Sequence, residues 1–321
     1  MKKFKLFDSN APGRGITKQQ AQMVDNYSFS GFFRVYKDRF WNISTLNIFF
    51  ILANFPIVFM IAALSGNFDL ETTAPVSPLF AQLYGISQYG TTPFVSALSS
   101  VIGANEPMFT PSTITNVLMY LTLLIVLTAG ISNTGASYIL RGYVRGEPIY
   151  IFGDFIDAVK KNLRQAIILG ILDCLFLFIF AYGILTYVTY SMGIMIVAEL
   201  FIMLVYLTMR FYMYILMITF DLSIFKILKN SFIFTMVGYK RNICAWIAIA
   251  LITLLSLYIF FALPFLGIAL PFIITIGTIM MISAFAAYPV IKKYMIDPYY
   301  NKDGNKKNTG NNESPVFMDR G

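Results

Sequence analysis

The chain has 321 residues, of which 57% are apolar and only 12% charged, with a net charge of +8 and a mean hydropathy of +0.68. A soluble domain is closer to about 25% charged, so a water-exposed surface of ordinary size cannot be assembled from these residues. The absence of histidine removes His-based catalytic triads and His-containing zinc sites, and two cysteines, Cys174 and Cys244, cannot build a disulfide framework.

Residues 1–28 are polar, and the first apolar run starts too late to be the core of a cleavable signal peptide. They are expected to be a mobile cytoplasmic arm. Next, Phe29, Phe33, Tyr36 and Phe40 recur at spacings of three and four, with Arg34, Lys37 and Arg39 largely elsewhere. Two placements fit this pattern: a helix lying in the inner membrane interface, or the cytoplasmic end of the first span.

Six spans follow, near 44–65, 113–139, 166–189, 193–219, 243–263 and 266–291, each judged against the ~20 apolar residues that a bilayer core requires. The basic residues fix the expected orientation. They fall in four clusters: up to Arg39, then 141–164, 226–241, and from Lys292 onward. Only Arg210 lies outside them. Each gap is long enough to cross a bilayer and return, so all four clusters are expected on the cytoplasmic side, with both termini. Positive-inside anchoring beside anionic lipid accounts for the net charge, and nucleic-acid binding is not expected. The expected fold is all-α: a polytopic bundle of about six transmembrane helices, with amphipathic elbow helices on the cytoplasmic face. It forms a single membrane domain over 29–300, followed by a disordered cytoplasmic tail over 301–321.

The loop 66–111, on the external side in this topology, carries no basic residue and is punctuated by prolines. Within it, 78–84 and 93–102 are apolar enough for short helices resting on the membrane or on a partner. On the inner side, residues 141–165 hold an elbow in which Phe155, Ile156, Val159 and Leu163 oppose Asp157, Lys160, Lys161 and Arg164. Phe155, Ile156 and Val159 are candidates for partner docking. Ile156-x-x-Val159-x-Lys161-Asn162 lines up with Ile224-x-x-Ile227-x-Lys229-Asn230 before a later span. Duplicated three-span halves, or demands common to any elbow helix, would each produce such a match. In the tail, Phe317 stands in an apolar island, Pro315–Met318, that fits a docking peptide or a chance cluster.

No phosphate-binding loop, nucleophile elbow or metal-ligand spacing occurs, so neither catalytic residues nor a cofactor or metal site are expected. Asp154 and Asp157 fit a helix N-terminus better than a metal. Three ionisable residues lie within spans, where charge is costly and usually faces the bundle interior. Asp173 sits about 13 Å beyond Arg164 and Arg210 about 16 Å before Asp221 at 1.5 Å per residue, so the two share a depth on adjacent antiparallel helices. Glu199 lies nearer the outer face. An internal Asp173–Arg210 ion pair with a snorkelling Glu199, or a polar path through all three, fits these positions. Small residues around Asn133, Thr134 and Gly135, between Gly130 and Ala136, point to close helix packing.

Taken together, several segments resemble the YesL family of Gram-positive bacterial membrane proteins, a domain of unknown function (624). They are Ala11-Pro-Gly-Arg-Gly-Ile16, Arg39-Phe-Trp41 with Leu46-Asn47 and Pro56, and Gly135-Ala-Ser-Tyr-Ile-Leu-Arg141. Further on come Asp154-Phe-Ile-Asp-Ala-Val-Lys-Lys-Asn162, Phe220-Asp-Leu-Ser223, Lys229-Asn-Ser231 and Tyr288-Pro-Val-Ile-Lys-Lys-Tyr294. The resemblance implies a multi-pass protein of the bacterial plasma membrane. It also implies a non-enzymatic role accessory to a carbohydrate ABC importer, with the permease or binding protein as partner. It supplies no catalytic or binding residues. A transporter or channel in its own right is the alternative expectation.

Overall fold

The computed structural model describes residues 27–75 and 105–298. The arm before Tyr27, the proposed helices at 78–84 and 93–102, and the tail with Phe317 lie outside the described residues. Five helical stretches are long and apolar enough to cross a membrane: Thr113–Arg145, Ile151–Thr189, Gly193–Thr219, Tyr239–Ala262 and Pro264–Ile296. Phe40–Ala53 and Pro56–Leu64 together make a sixth, broken candidate. The chain is a multi-pass membrane protein. The chain falls into two compact units: residues 55–125 form one, and the segments on either side form the other.

The smaller unit holds α3 (Pro56–Leu64), β1 (Leu70–Pro75), β2 (Asn105–Thr110) and α4 (Thr113–Thr122). Pro56 starts α3 because a proline has no N–H to lose at a helix start. β1 and β2 pair antiparallel from Leu70↔Thr110 to Pro75↔Asn105, so the stem of the long loop is a two-stranded ribbon that helical and apolar periodicity did not reveal. The Ser112 side chain caps α4, accepting from the Thr115 N–H at 3.1 Å. The Thr115 hydroxyl in turn donates to Asp69 Oδ1 at 2.7 Å, fixing the ribbon against α4.

The larger unit begins with α1 (Phe29–Asp38) and α2 (Phe40–Ala53). It continues with α5 (Ile125–Arg145), α6 (Ile151–Thr189), α7 (Gly193–Thr219), α8 (Ile224–Val237) and α9 (Tyr239–Ala262). The last span is α10 (Pro264–Leu270), a π-helical turn Pro271–Thr275, α11 (Ile276–Ile291) and a second π-helical turn Lys292–Ile296.

α1 packs on α11. It runs antiparallel along α11 and α2 carries on the same path: Phe32 packs on Phe285 with ring centroids 5.4 Å apart, the Tyr36 hydroxyl is 2.7 Å from that of Thr278, and the Ser44 hydroxyl donates to the Ile273 carbonyl at 2.7 Å.

α6 also departs from expectation. The elbow is not a separate short helix but the first turns of a 39-residue helix, about 58 Å long. No Gly or Pro falls between Asp154 and Leu169 to break it, and Asp154 Oδ2 accepts the Tyr150 N–H at its start. The second elbow, α8, is a true separate helix that ends at Gly238. A Cβ there would collide with the Tyr212 hydroxyl, so only glycine fits. The two matched motifs therefore sit in unlike elements.

Gly130 of α5 and Gly170 of α6 face each other so closely that a Cβ on Gly170 would lie 2.5 Å from the Gly130 Cα. Absent side chains let the two backbones touch, the usual device where helices cannot gain from expelling water. Spans five and six turn back at Leu263–Pro264, and Gly267 lies against the Phe260 backbone.

The dense core gathers Ile139–Val144 of α5, Tyr212–Ile218 of α7, much of α11, and Ile43 and Leu46 of α2. Basic residues collect at the same end. Arg39 lies 5.4 Å from the ring centre of Tyr143 and Lys292 5.5 Å from that of Tyr27, so cations of the first and last clusters each rest on a tyrosine of this region. Towards the other end apolar side chains face outward, Ile194 at 85% and Phe261 at 77% exposure, as a lipid-covered surface requires.

Candidate functional site

α7 carries two polar stripes, and their spacing assigns each to a neighbour. Tyr206, Arg210 and Tyr214 recur every four residues and face α6; Thr208 and Tyr212 share a second face toward α9.

The first stripe closes around Asp173, which is 1% exposed. Arg210 Nε lies 2.8 Å from Asp173 Oδ1 and donates to Oδ2 at 3.1 Å. The Tyr206 hydroxyl donates to Oδ1 at 2.8 Å and that of Tyr214 to Oδ2 at 3.1 Å. Each carboxylate oxygen thus faces the guanidinium and one phenol. A buried charge is tolerable only when paired and fully hydrogen-bonded, and this one is both. Phe176 and Phe180 of α6 wall the Tyr206 ring, with centroids 5.1 and 5.5 Å away. Cys174, beside Asp173, is half-buried.

Glu199 stands apart from this cluster. Its carboxylate lies over Gly183, where an added Cβ would come within 2.6 Å of Oε1. It precedes Arg210 by three helical turns, about 16 Å, and the intervening Leu200–Val205 of α7 are all apolar. The structure brings Asp173 and Arg210 together and leaves Glu199 outside.

The second stripe is neutral. The Tyr212 hydroxyl donates to Asn242 Oδ1 at 2.7 Å, Asn242 Nδ2 to the Thr235 carbonyl at 3.0 Å, and Trp246 Nε1 to the Thr208 hydroxyl at 2.8 Å. These bonds tie α7 to the α8–α9 corner.

A third polar centre lies where α2 meets the π-helical turn. Asn47 Nδ2 donates to the carbonyls of Pro271 and Phe272 at 2.9 and 2.6 Å, while Asn47 Oδ1 accepts the Gly277 N–H at 2.6 Å. One side-chain amide therefore replaces the peptide groups that a regular helix would have supplied. Irregular backbone at membrane depth needs such cover.

Phe155, Ile156 and Val159 are half-buried, and the Phe155 ring fills the space over Gly135. Its outward neighbour on α6 is Phe152, 63% exposed. Among the described residues no group of three or more His, Cys, Asp or Glu is placed to hold a metal ion.

The Gly130–Gly170 contact and Asp173 share one continuous stretch with a known counterpart. Residues 113–184 match the family model described as "Protein of unknown function, DUF624". This stretch, and not the chain as a whole, is similar to that family. No curated protein and no solved structure matches the chain. The DUF624 stretch contributes the buried acid and the glycine contact, whereas Arg210, Tyr206 and Tyr214 come from the helix that follows it.

Sequence reasoning reached the charged pair through matched depth and missed both tyrosines. Their signal was available: tyrosines four residues before and after an intramembrane arginine lie on its own face.

Proposed function

We propose that this protein is a non-enzymatic accessory subunit of the bacterial plasma membrane, with both termini cytoplasmic, that docks on a carbohydrate ABC importer. The observation that carries this reading is the saturation of Asp173: both oxygens are taken by Arg210, Tyr206 and Tyr214 of the same chain. A carboxylate committed on all sides is poorly suited to exchange protons or bind a passing substrate, and suits a fixed scaffold instead. The apolar break between this cluster and Glu199 supports the same view. The orientation rests on the four basic clusters, and the importer rests on the family resemblance.

The irregular Pro271–Thr275 turn favours a second reading, since interrupted spans also build transporter sites. Purification from mild detergent, followed by reconstitution into liposomes, separates the two. The accessory reading expects an ABC permease or its binding protein to be recovered with the chain, and no sugar flux through the chain alone. Flux that disappears with Asp173→Asn would establish the transporter and overturn the accessory role.

A further inference from the structure

Pro289 sits inside α11. In an uninterrupted helix the N–H of that position would donate to the Phe285 carbonyl one turn back, and proline has none to give. The acceptor is not left bare. Arg241, at the start of α9, donates from Nη2 to the Phe285 carbonyl at 3.1 Å and from Nε to that of Ala286 at 3.3 Å. The same Nη2 also donates to the Tyr27 carbonyl at 3.1 Å, immediately before α1. The guanidinium lies 6.0 Å from the Phe285 ring centre, and the Tyr27 ring packs on Phe285 and Tyr288. A guanidinium can do this because its donors are fixed in a planar fork; an ammonium on a flexible stem cannot hold all three acceptors in place.

We propose that Arg241 is a latch: one side chain holds both the proline break in the last helix and the seated position of α1, so that withdrawing it releases the two together. Tyr27 lies two residues before the start of α1, and Lys292, whose ammonium lies over the Tyr27 ring, follows the break by three residues. The latch therefore joins the residue just before α1 to the proline break near the end of α11.

Two measurements test the two halves separately, each on the full-length protein in mild detergent with Cys174 and Cys244 replaced by alanine. The first compares thermal stability of Arg241→Gln, Pro289→Ala and the double variant. Pro289→Ala restores a backbone donor for the Phe285 carbonyl, so the fall in Tm caused by Arg241→Gln should shrink clearly in its presence. Equal falls in both backgrounds would show that Arg241 does not serve the break. The second places Val35→Cys, a buried position of α1, and follows its reaction with a thiol reagent. Losing a hydrogen bond from a charged group should raise the labelling rate by about tenfold or more in Arg241→Gln. Pro289→Ala should not rescue it, because the Tyr27 contact stays lost. An unchanged labelling rate would sink the latch.

Discussion

Asp173 gathers three side-chain partners, and they differ in what they contribute. Arg210 supplies the countercharge; the two phenols supply donors that keep the carboxylate oxygens from facing apolar side chains. Removing only one member of the ion pair strands a buried charge and should cost about 3–5 kcal/mol. Replacing both Asp173 and Arg210 with apolar residues of similar size should cost much less, measured as Tm in detergent. If the double variant loses as much as the sum of the singles, the pair is not coupled. Tyr206→Phe and Tyr214→Phe each remove a charge-assisted hydrogen bond, worth about 1.5–3 kcal/mol. The shorter Tyr206 contact, at 2.8 Å against 3.1 Å, should be the costlier loss. The reverse ranking would mean that packing of the Tyr214 ring outweighs its hydroxyl.

At the level of elements, close approach decides what each glycine tolerates. Gly170→Ala puts a Cβ onto the Gly130 backbone and must separate α5 from α6, so its yield of folded protein should fall sharply. Gly153, in the first turn of α6, has nothing within 4 Å of an added Cβ. Gly153→Ala should therefore stabilise, by about 0.5–1 kcal/mol, through helix propensity alone. If both substitutions behave alike, helix contact is not what selects glycine at 170. Much of this architecture was legible beforehand. Runs of apolar residues bounded by basic clusters located the spans, because bilayer thickness sets their length. Matched depth likewise brought Asp173 to Arg210. What hydropathy could not reveal was continuity and cover. Nothing in an amphipathic pattern says whether an elbow such as 154–165 joins its span in one helix. Asn47 is unremarkable in sequence until the π-helical turn that it covers is known. The β1–β2 ribbon escaped because its pairing joins residues far apart in the chain, and strand patterns in six residues are faint.

For the whole molecule, the orientation proposed from the basic clusters predicts a simple labelling pattern in intact cells. Cysteines introduced at Ser87 and Ser100 should react with an impermeant thiol reagent, and one at Ser314 should not. Labelling at Ser314 in sealed cells would invert the topology.

The ribbon has a further consequence once the chain is thought of as two polypeptides. Leu70–Pro75 and Asn105–Thr110 are paired at the base of the long loop, and Asp69 is bonded to Thr115 beside them. A protease site engineered between residues 76 and 104 would cut the backbone without breaking that clasp. The two fragments should migrate as one particle in gentle detergent and part only in denaturant, making the protein a candidate for expression as a split pair.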